Sequence, residues 1–208
     1  MCNQNKKTEK KSITLTNDFF VQESIAIARD SSKVKRLVMV VAPRAFRDEE
    51  FRVPYELLIK IGYKIHVASR DTIIAVGIKG LALKPHLAIR DIDTTKYDGI
   101  IFVGGTGAAI YWDDKNVHQL VQYFAQANNK IVAAICIAPV ILARAGVLNG
   151  IKATVYEDKT MINELKQKGA LYQKSDVVVC KNIITASGPT AATAFTKAIV
   201  SKLTESYR

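Results

Sequence analysis

The sequence predicts an α/β fold, a three-layer α/β/α sandwich around a mostly parallel sheet with a nucleophile elbow. Three observations carry this expectation. Runs of consecutive apolar residues without polar alternation recur at 37–41, 99–103 and 131–135, the pattern of strands buried on both faces. Helical segments stand between them, so strand and helix alternate along the chain. The third run leads into Cys136 and then Pro139, a residue suited to the first turn of a helix. A cysteine where a buried strand turns directly into a helix has the geometry of a nucleophile elbow.

The elements follow in order. Residues 1–12 are polar and lysine-rich and read as a tail. Asn17-Asp18 can cap a short amphipathic helix to Ala28, and 30–35 is a charged linker. Residues 1–34 therefore form an N-terminal extension, and 35–208 the α/β domain. That domain opens with the strand at 37–41, a loop over 43–48, a helix over 49–61 closed by Gly62, and a strand over 63–69. Together these make a right-handed βαβ unit. Residues 72–92 alternate weakly around Gly77 and Gly80 and predict a small hairpin. The strand at 99–103 ends in Gly104-Gly105-Thr106-Gly107, and Asp113 or Asp114 caps a helix to 128. The elbow helix ends near Gly146. A short strand over 152–155 and a helix over 159–168 come next. Strands at 177–180 and 183–186 turn at Lys181-Asn182, and Pro189 opens a last helix to 203.

Composition narrows the function classes. With 208 residues, 49% of them hydrophobic, the chain can bury one sizeable core. It lacks a run of about 18 apolar residues, so no membrane-spanning helix is expected. The formal charge of +11 comes from lysines and arginines spread along the chain rather than gathered into an arm. Such a surface attracts polyanions weakly, but no nucleic-acid-binding motif accompanies it. Three scattered cysteines, Cys2, Cys136 and Cys180, give neither a disulfide framework nor a zinc pattern. They suit a reducing cytoplasm; no metal and no cofactor is expected. The start Met1-Cys2-Asn3 followed by lysines leaves a processed lipoprotein terminus as the alternative.

Sites in such sheets lie outside the carboxyl ends of the strands. The loop after Val41, the glycine loop after Val103 and Cys136 are expected to converge there. Ala134 and Ala138 are the small neighbours that a sharp turn at Cys136 needs. A helix N-terminus beside the sulfur favours thiolate over thiol, although an inert buried cysteine fits the same stretch. The glycine loop lacks the lysine of a P-loop and the spacing of a dinucleotide fingerprint. Its Gly105 amide, with that of Ile137, suits an oxyanion hole; a tight turn is the alternative. Glu50, near the start of the first helix, points toward the same edge. Held beside Cys136 and desolvated, a protonated Glu50 could donate to the thiolate and shuttle a proton. Asp48 and Glu49 read as capping residues, and His66, His86 and His118 as structural.

These residues carry a family resemblance. Glu50-Phe51-Arg52-Val53-Pro54, Val103-Gly104-Gly105, Ala133-Ala134-Ile135-Cys136-Ile137-Ala138-Pro139, the 145–150 segment and Ser187-Gly188-Pro189 occur in order. Over 35–203 the chain resembles the DJ-one/ThiJ/PfpI superfamily, a flavodoxin-like class of glyoxalases, proposed deglycases, redox-responsive chaperones and PfpI-type proteases. The resemblance implies Cys136 as nucleophile, Glu50 as its hydrogen-bonding partner, and Gly105 and Ile137 as oxyanion donors. Tyr111, Trp112 and Tyr156, with Gly104, are candidates to border the pocket. PfpI-type members have a histidine after the cysteine where this chain has Ile137, and other members a later one where Tyr156 stands. Peptide hydrolysis is therefore disfavoured. The expected activity is on small reactive aldehydes such as methylglyoxal, without metal or glutathione. A redox sensor working through Cys136 oxidation is the alternative, and a hydrolase borrowing a histidine from another subunit a third. The resemblance also implies a homodimer or higher homo-oligomer, to which the apolar 19–28 segment could contribute.

Overall fold

The computed structural model describes residues 34–205. The polar tail, the helix expected over 17–28 and Cys2 lie outside the described residues. A seven-stranded sheet forms the centre. Its strands are β1 (Arg36–Val40), β3 (Lys64–Ser69), β6 (Leu87–Ala88), β7 (Gly99–Phe102), β8 (Ile131–Ile135), β11 (Val177–Cys180) and β12 (Ile183–Ala186), in the order β11-β12-β8-β7-β1-β3-β6. All neighbours are parallel except the β11–β12 hairpin.

The chain steps one way from β1 to β3 and the other way from β7 to β8. Right-handed crossovers then put the connecting helices, α1 (Asp48–Ile61) and α2 (Lys115–Gln126), on opposite faces. The final helix α5 (Ala192–Glu205) packs against α1, and the elbow helix α3 (Pro139–Arg144) against α2 and against α4 (Lys159–Gln167). Phe46, Phe102, Phe124, Phe195, Met39 and Leu142 are fully buried in the core.

Local chemistry sets the ends of these elements. Gly62 closes α1 at φ 106°, a left-handed residue whose amide and that of Tyr63 cap the last carbonyls. Asp114 caps α2 by accepting from the amides of Asn116 and Val117, and Asp158 caps α4 in the same way. Lys181 turns the β11–β12 hairpin at φ 56°. Beside it, the Asn182 side-chain nitrogen lies within hydrogen-bond distance of the carbonyls of Phe124, Ala125, Ala127 and Lys130, tying the end of α2 to the sheet.

The expected hairpin over 72–92 is shorter. It comprises β4 (Ala75–Gly77) and β5 (Ala82–Leu83), joined by β2 (Arg44–Phe46) from the stretch expected to be a loop. Leu87–Ala88 leaves the hairpin and becomes the edge strand of the main sheet. The short strand β9 (Lys152–Ala153) pairs instead with β10 (Leu171–Tyr172) in a separate two-stranded sheet. The glycine loop continues into a 3-10 helix over Thr106–Tyr111. No described helix is long and apolar enough to cross a membrane.

Candidate active site

The sheet reverses its winding between β1 and β7, and three junctions meet at that crevice: the segment after β1, the glycine loop after β7 and the turn after β8. Cys136 holds φ 64°, a left-handed conformation that costs a non-glycine residue of the order of 1 kcal/mol or more. The surroundings enforce it. Its amide donates to Ala186 of β12 at 2.9 Å, and its carbonyl accepts from the Tyr156 amide at 2.8 Å. Ala134 and Ala138, on either side, are fully buried; larger side chains would not fit the turn. Cys136 itself is 8% exposed.

Glu50 comes from the first turn of α1 and has no solvent exposure. Pro54, four residues on, has no N–H to give to the Glu50 carbonyl, so the helix ladder is open at this point. Burial above all pushes the Glu50 carboxyl up, to about 7; the Cys136 thiol, the Arg47 guanidinium and the Gly104 amide pull the other way. Neither carboxyl oxygen has a partner with full hydrogen-bond geometry. The Cys136 sulfur is nevertheless close enough to act on the carboxyl, and the carboxyl on it.

Gly104 separates the two groups. A Cβ placed there would lie 2.5 Å from Glu50 Oε2, 2.6 Å from Cys136 Cβ and 2.7 Å from the Ile135 carbonyl. Only glycine fits. Gly105, at φ 92°, presses against the 45–47 backbone, where a Cβ would come 2.4 Å from the Arg47 nitrogen. The amides of Gly105 and Ile137 both act on the Cys136 sulfur and favour its charged form. They do not prevail: burial first, then the Glu50 charge, push the thiol up to about 12. The helix start therefore biases the sulfur toward thiolate, as expected, but burial and Glu50 outweigh that bias. The pair keeps a proton on sulfur while Glu50 ionises near neutrality, and the two groups titrate as a unit.

The three consecutive acids of α1 have separate roles. Asp48 accepts from the amides of Lys79 and Leu81, both at 2.8 Å, and so fastens the β4–β5 hairpin to the start of the helix. Glu49 pairs with Arg47 at 3.0 Å and with Lys79. Neither caps the helix; Arg47 is its N-cap residue and makes no side-chain cap. Glu50 alone faces inward. The sequence reading missed the latch by Asp48 and the charge of Arg47 beside Glu50. Only the position of Arg47 directly before the acidic run hinted at either.

The aromatic candidates separate. Tyr111 is buried, donates to the Val41 carbonyl at 2.9 Å, and is pushed up to about 12 by burial. It is a core residue. Trp112 stacks under Arg144, which pairs with Asp113 and Glu164, so it braces the elbow helix. Tyr156 is 48% exposed and is hydrogen-bonded through its amide to the Cys136 carbonyl. The histidines stay apart from the sulfur. His66 contacts Tyr97 at 2.7 Å, His86 accepts from the Val67 amide, and His118 contacts the Trp112 carbonyl. Among the described residues, no group of three or more His, Cys, Asp or Glu is placed to hold a metal.

Comparison with known proteins identifies the family and the fold. The model of the DJ-1/PfpI family matches residues 35–202. A protein of Methanocaldococcus jannaschii, named only as uncharacterized, is 41% identical over 168 residues, covering 80% of this chain and 82% of its own length. Deglycase PfpI of Pyrococcus furiosus is 27% identical, covering 73% of this chain and 90% of its own. The crystal structure of a ThiJ/PfpI domain protein from Brachyspira murdochii superposes with a TM-score of 0.79 at 32% identity, covering 84% of this chain and 99% of its own.

Proposed function

The chain belongs to the DJ-1/PfpI family, and on that premise we propose that it is a cysteine-dependent enzyme acting on small reactive carbonyls. The observation that carries this reading is the pairing of Cys136, at φ 64°, with a fully buried Glu50 whose carboxyl titrates near 7. The relative named a deglycase supports the carbonyl class.

With methylglyoxal as substrate, the sulfur attacks the aldehyde carbon while the thiol proton passes to the Glu50 carboxylate. An S–C bond forms, and the Gly105 and Ile137 amides receive the developing oxyanion. The oxyanion takes up a proton, giving a neutral hemithioacetal and returning Glu50 to its charged form. Glu50 then removes the proton from the former aldehyde carbon and returns it to the neighbouring carbon through an enediol. That internal redox shift oxidises the first carbon to a thioester and reduces the second to an alcohol. Water cleaves the thioester, releasing lactate and restoring the thiol. No external oxidant or reductant enters.

The test is methylglyoxal consumption and lactate formation without glutathione, comparing the wild type with Cys136→Ser. Lactate formation that depends on Cys136 supports the reading. If the pure, reduced, folded protein gives no turnover, the reading fails for this substrate. A mass gain of two oxygens at Cys136 under mild peroxide, diminished by Glu50→Gln, would then point to the redox sensor.

A further inference from the structure

A second concave site lies at the amino ends of the strands, the edge of the sheet opposite Cys136. Arg36 and Lys64 are register partners at the first positions of β1 and β3, and His66 follows two residues along on the same face. Lys96, from the 3-10 turn at Thr94–Lys96, and Tyr97 complete the wall. These five residues line a cavity of ≈ 210 Å³. Tyr97 is buried, its hydroxyl 2.7 Å from His66 Nδ1 and its ring edge-on to the imidazole.

The charge here is lopsided. Asp98 accepts from the Arg36 amide at 2.8 Å and faces Lys35 at 3.4 Å. Asp93 pairs with Lys96 at 3.2 Å. Among the described residues no carboxylate pairs with the side chain of Arg36 or Lys64. The excess is felt at His66: partial desolvation first, and then His86, Arg36 and Lys64, hold its imidazole below the ordinary value of 6.5.

We infer that this cavity binds a small phosphate monoester, with Arg36 and Lys64 holding the phosphate and Tyr97 and His66 walling its carbon body. A guanidinium fork and an ammonium on adjacent strands suit a compact dianion. The cavity is half open to solvent, and its volume suits a ligand with a body of a few carbons. The aromatic wall gives that body an apolar surface to rest on. An arriving dianion would offset the positive field and draw a proton onto His66. The site is separate from Cys136 and does not depend on the carbonyl reading.

The experiment is an NMR titration of the histidine ring signals of the full chain with glycerol phosphate at constant ionic strength. Glycerol and chloride serve as controls. The expected result is saturable movement of the His66 signals toward the imidazolium form in the millimolar range, with no response to glycerol. Arg36→Gln and Lys64→Gln should each weaken binding about tenfold, the loss of one charge-assisted contact. Both side chains are exposed, so neither change touches the core, and Cys136→Ser should leave the affinity unaltered. Lack of saturation, an equal response to chloride, or affinity unchanged in Arg36→Gln would each overturn the assignment.

Discussion

Replacing Glu50 with glutamine tests the central physical statement about the site, because it keeps the side-chain shape and removes the titration. Glu50 has no solvent exposure, and burial raises its carboxyl from the ordinary 4.5 to about 7. Below pH 4.5 the folded and unfolded states both hold the proton, and the wild type has its full stability. As pH rises, the unfolded chain releases the proton first while the folded state keeps it, so stability falls with pH. The fall ends near 7, when the folded state ionises as well, and amounts to roughly 3 kcal/mol. Glutamine has no such slope. The stability of Glu50→Gln relative to wild type should therefore grow by about 3 kcal/mol between pH 4.5 and 8, or about 6–12 °C in melting temperature for a domain of this size. Cys136, raised from 9.0 to about 12, holds its proton throughout this window in both states and does not distort the comparison.

Urea titrations of both proteins from about pH 5 to pH 8 read the effect directly. A constant offset from imperfect packing of the amide would shift the variant's curve without tilting it. The slope is the signal. Parallel curves for the two proteins, or a difference that shrinks toward pH 8, would refute a desolvated carboxyl at this position.

Four further outcomes follow from the same geometry. In methylglyoxal turnover, kcat/KM should rise with pH to a midpoint near 7 as Glu50 loses its proton. Glu50→Gln should lower it by about 10²–10⁴-fold and abolish that midpoint, as a pH–rate profile will record. Gly104→Ala pushes a methyl between Glu50, Cys136 and the Ile135 carbonyl. It should cost about 1–3 kcal/mol and most of the activity, measured by urea midpoint and turnover together. Asp48→Ala leaves the Lys79 and Leu81 amides without their acceptor. A loss of about 1–3 kcal/mol is expected, with faster hydrogen exchange confined to the 75–83 hairpin and the turn before α1. Tyr111→Phe removes one buried hydrogen bond to the Val41 carbonyl. It should lower stability by about 1 kcal/mol with KM unchanged, separating a core tyrosine from a substrate contact.

The parts of this molecule legible in its sequence are those whose cause is local. The buried strands β1, β7 and β8 announce themselves as unbroken apolar runs. The turn at Cys136 is visible because Ala134, Ala138 and Pro139 state its steric demands within a few residues. Glu50 is legible for a related reason, since Pro54 marks the open rung of the helix above it. What failed was non-local. Leu87–Ala88 is too short to show a period, and only its pairing with β3 makes it a strand of the main sheet. Asp48 reads as a helix cap until the amides of Lys79 and Leu81 arrive from 31 and 33 residues away. The balance of charge at Cys136 is non-local in the same way. The turn around the sulfur carries a local bias toward thiolate, but burial and a carboxylate from another element outweigh it.

The proton inventory of the site also bears on the proposed substrate class. Cleaving an amide expels an amine, which needs a proton as the bond breaks, so an amidase needs an acid and a base that alternate. Here Ile137 follows the cysteine, and none of the described histidines contacts Cys136. Glu50 and Cys136 share a single mobile proton near neutral pH. An aldehyde makes no greater demand. The aldehyde expels no leaving group on addition, its attack by sulfur needs the thiol proton moved aside once, and the rearrangement carries the C–H proton of the former aldehyde carbon to its neighbour. A buried carboxyl titrating near 7 can take and give that proton at nearly equal cost, the condition under which one group serves as both base and acid. On the proposed reading, the strained cysteine and the desolvated glutamate suit carbonyl isomerisation better than peptide cleavage.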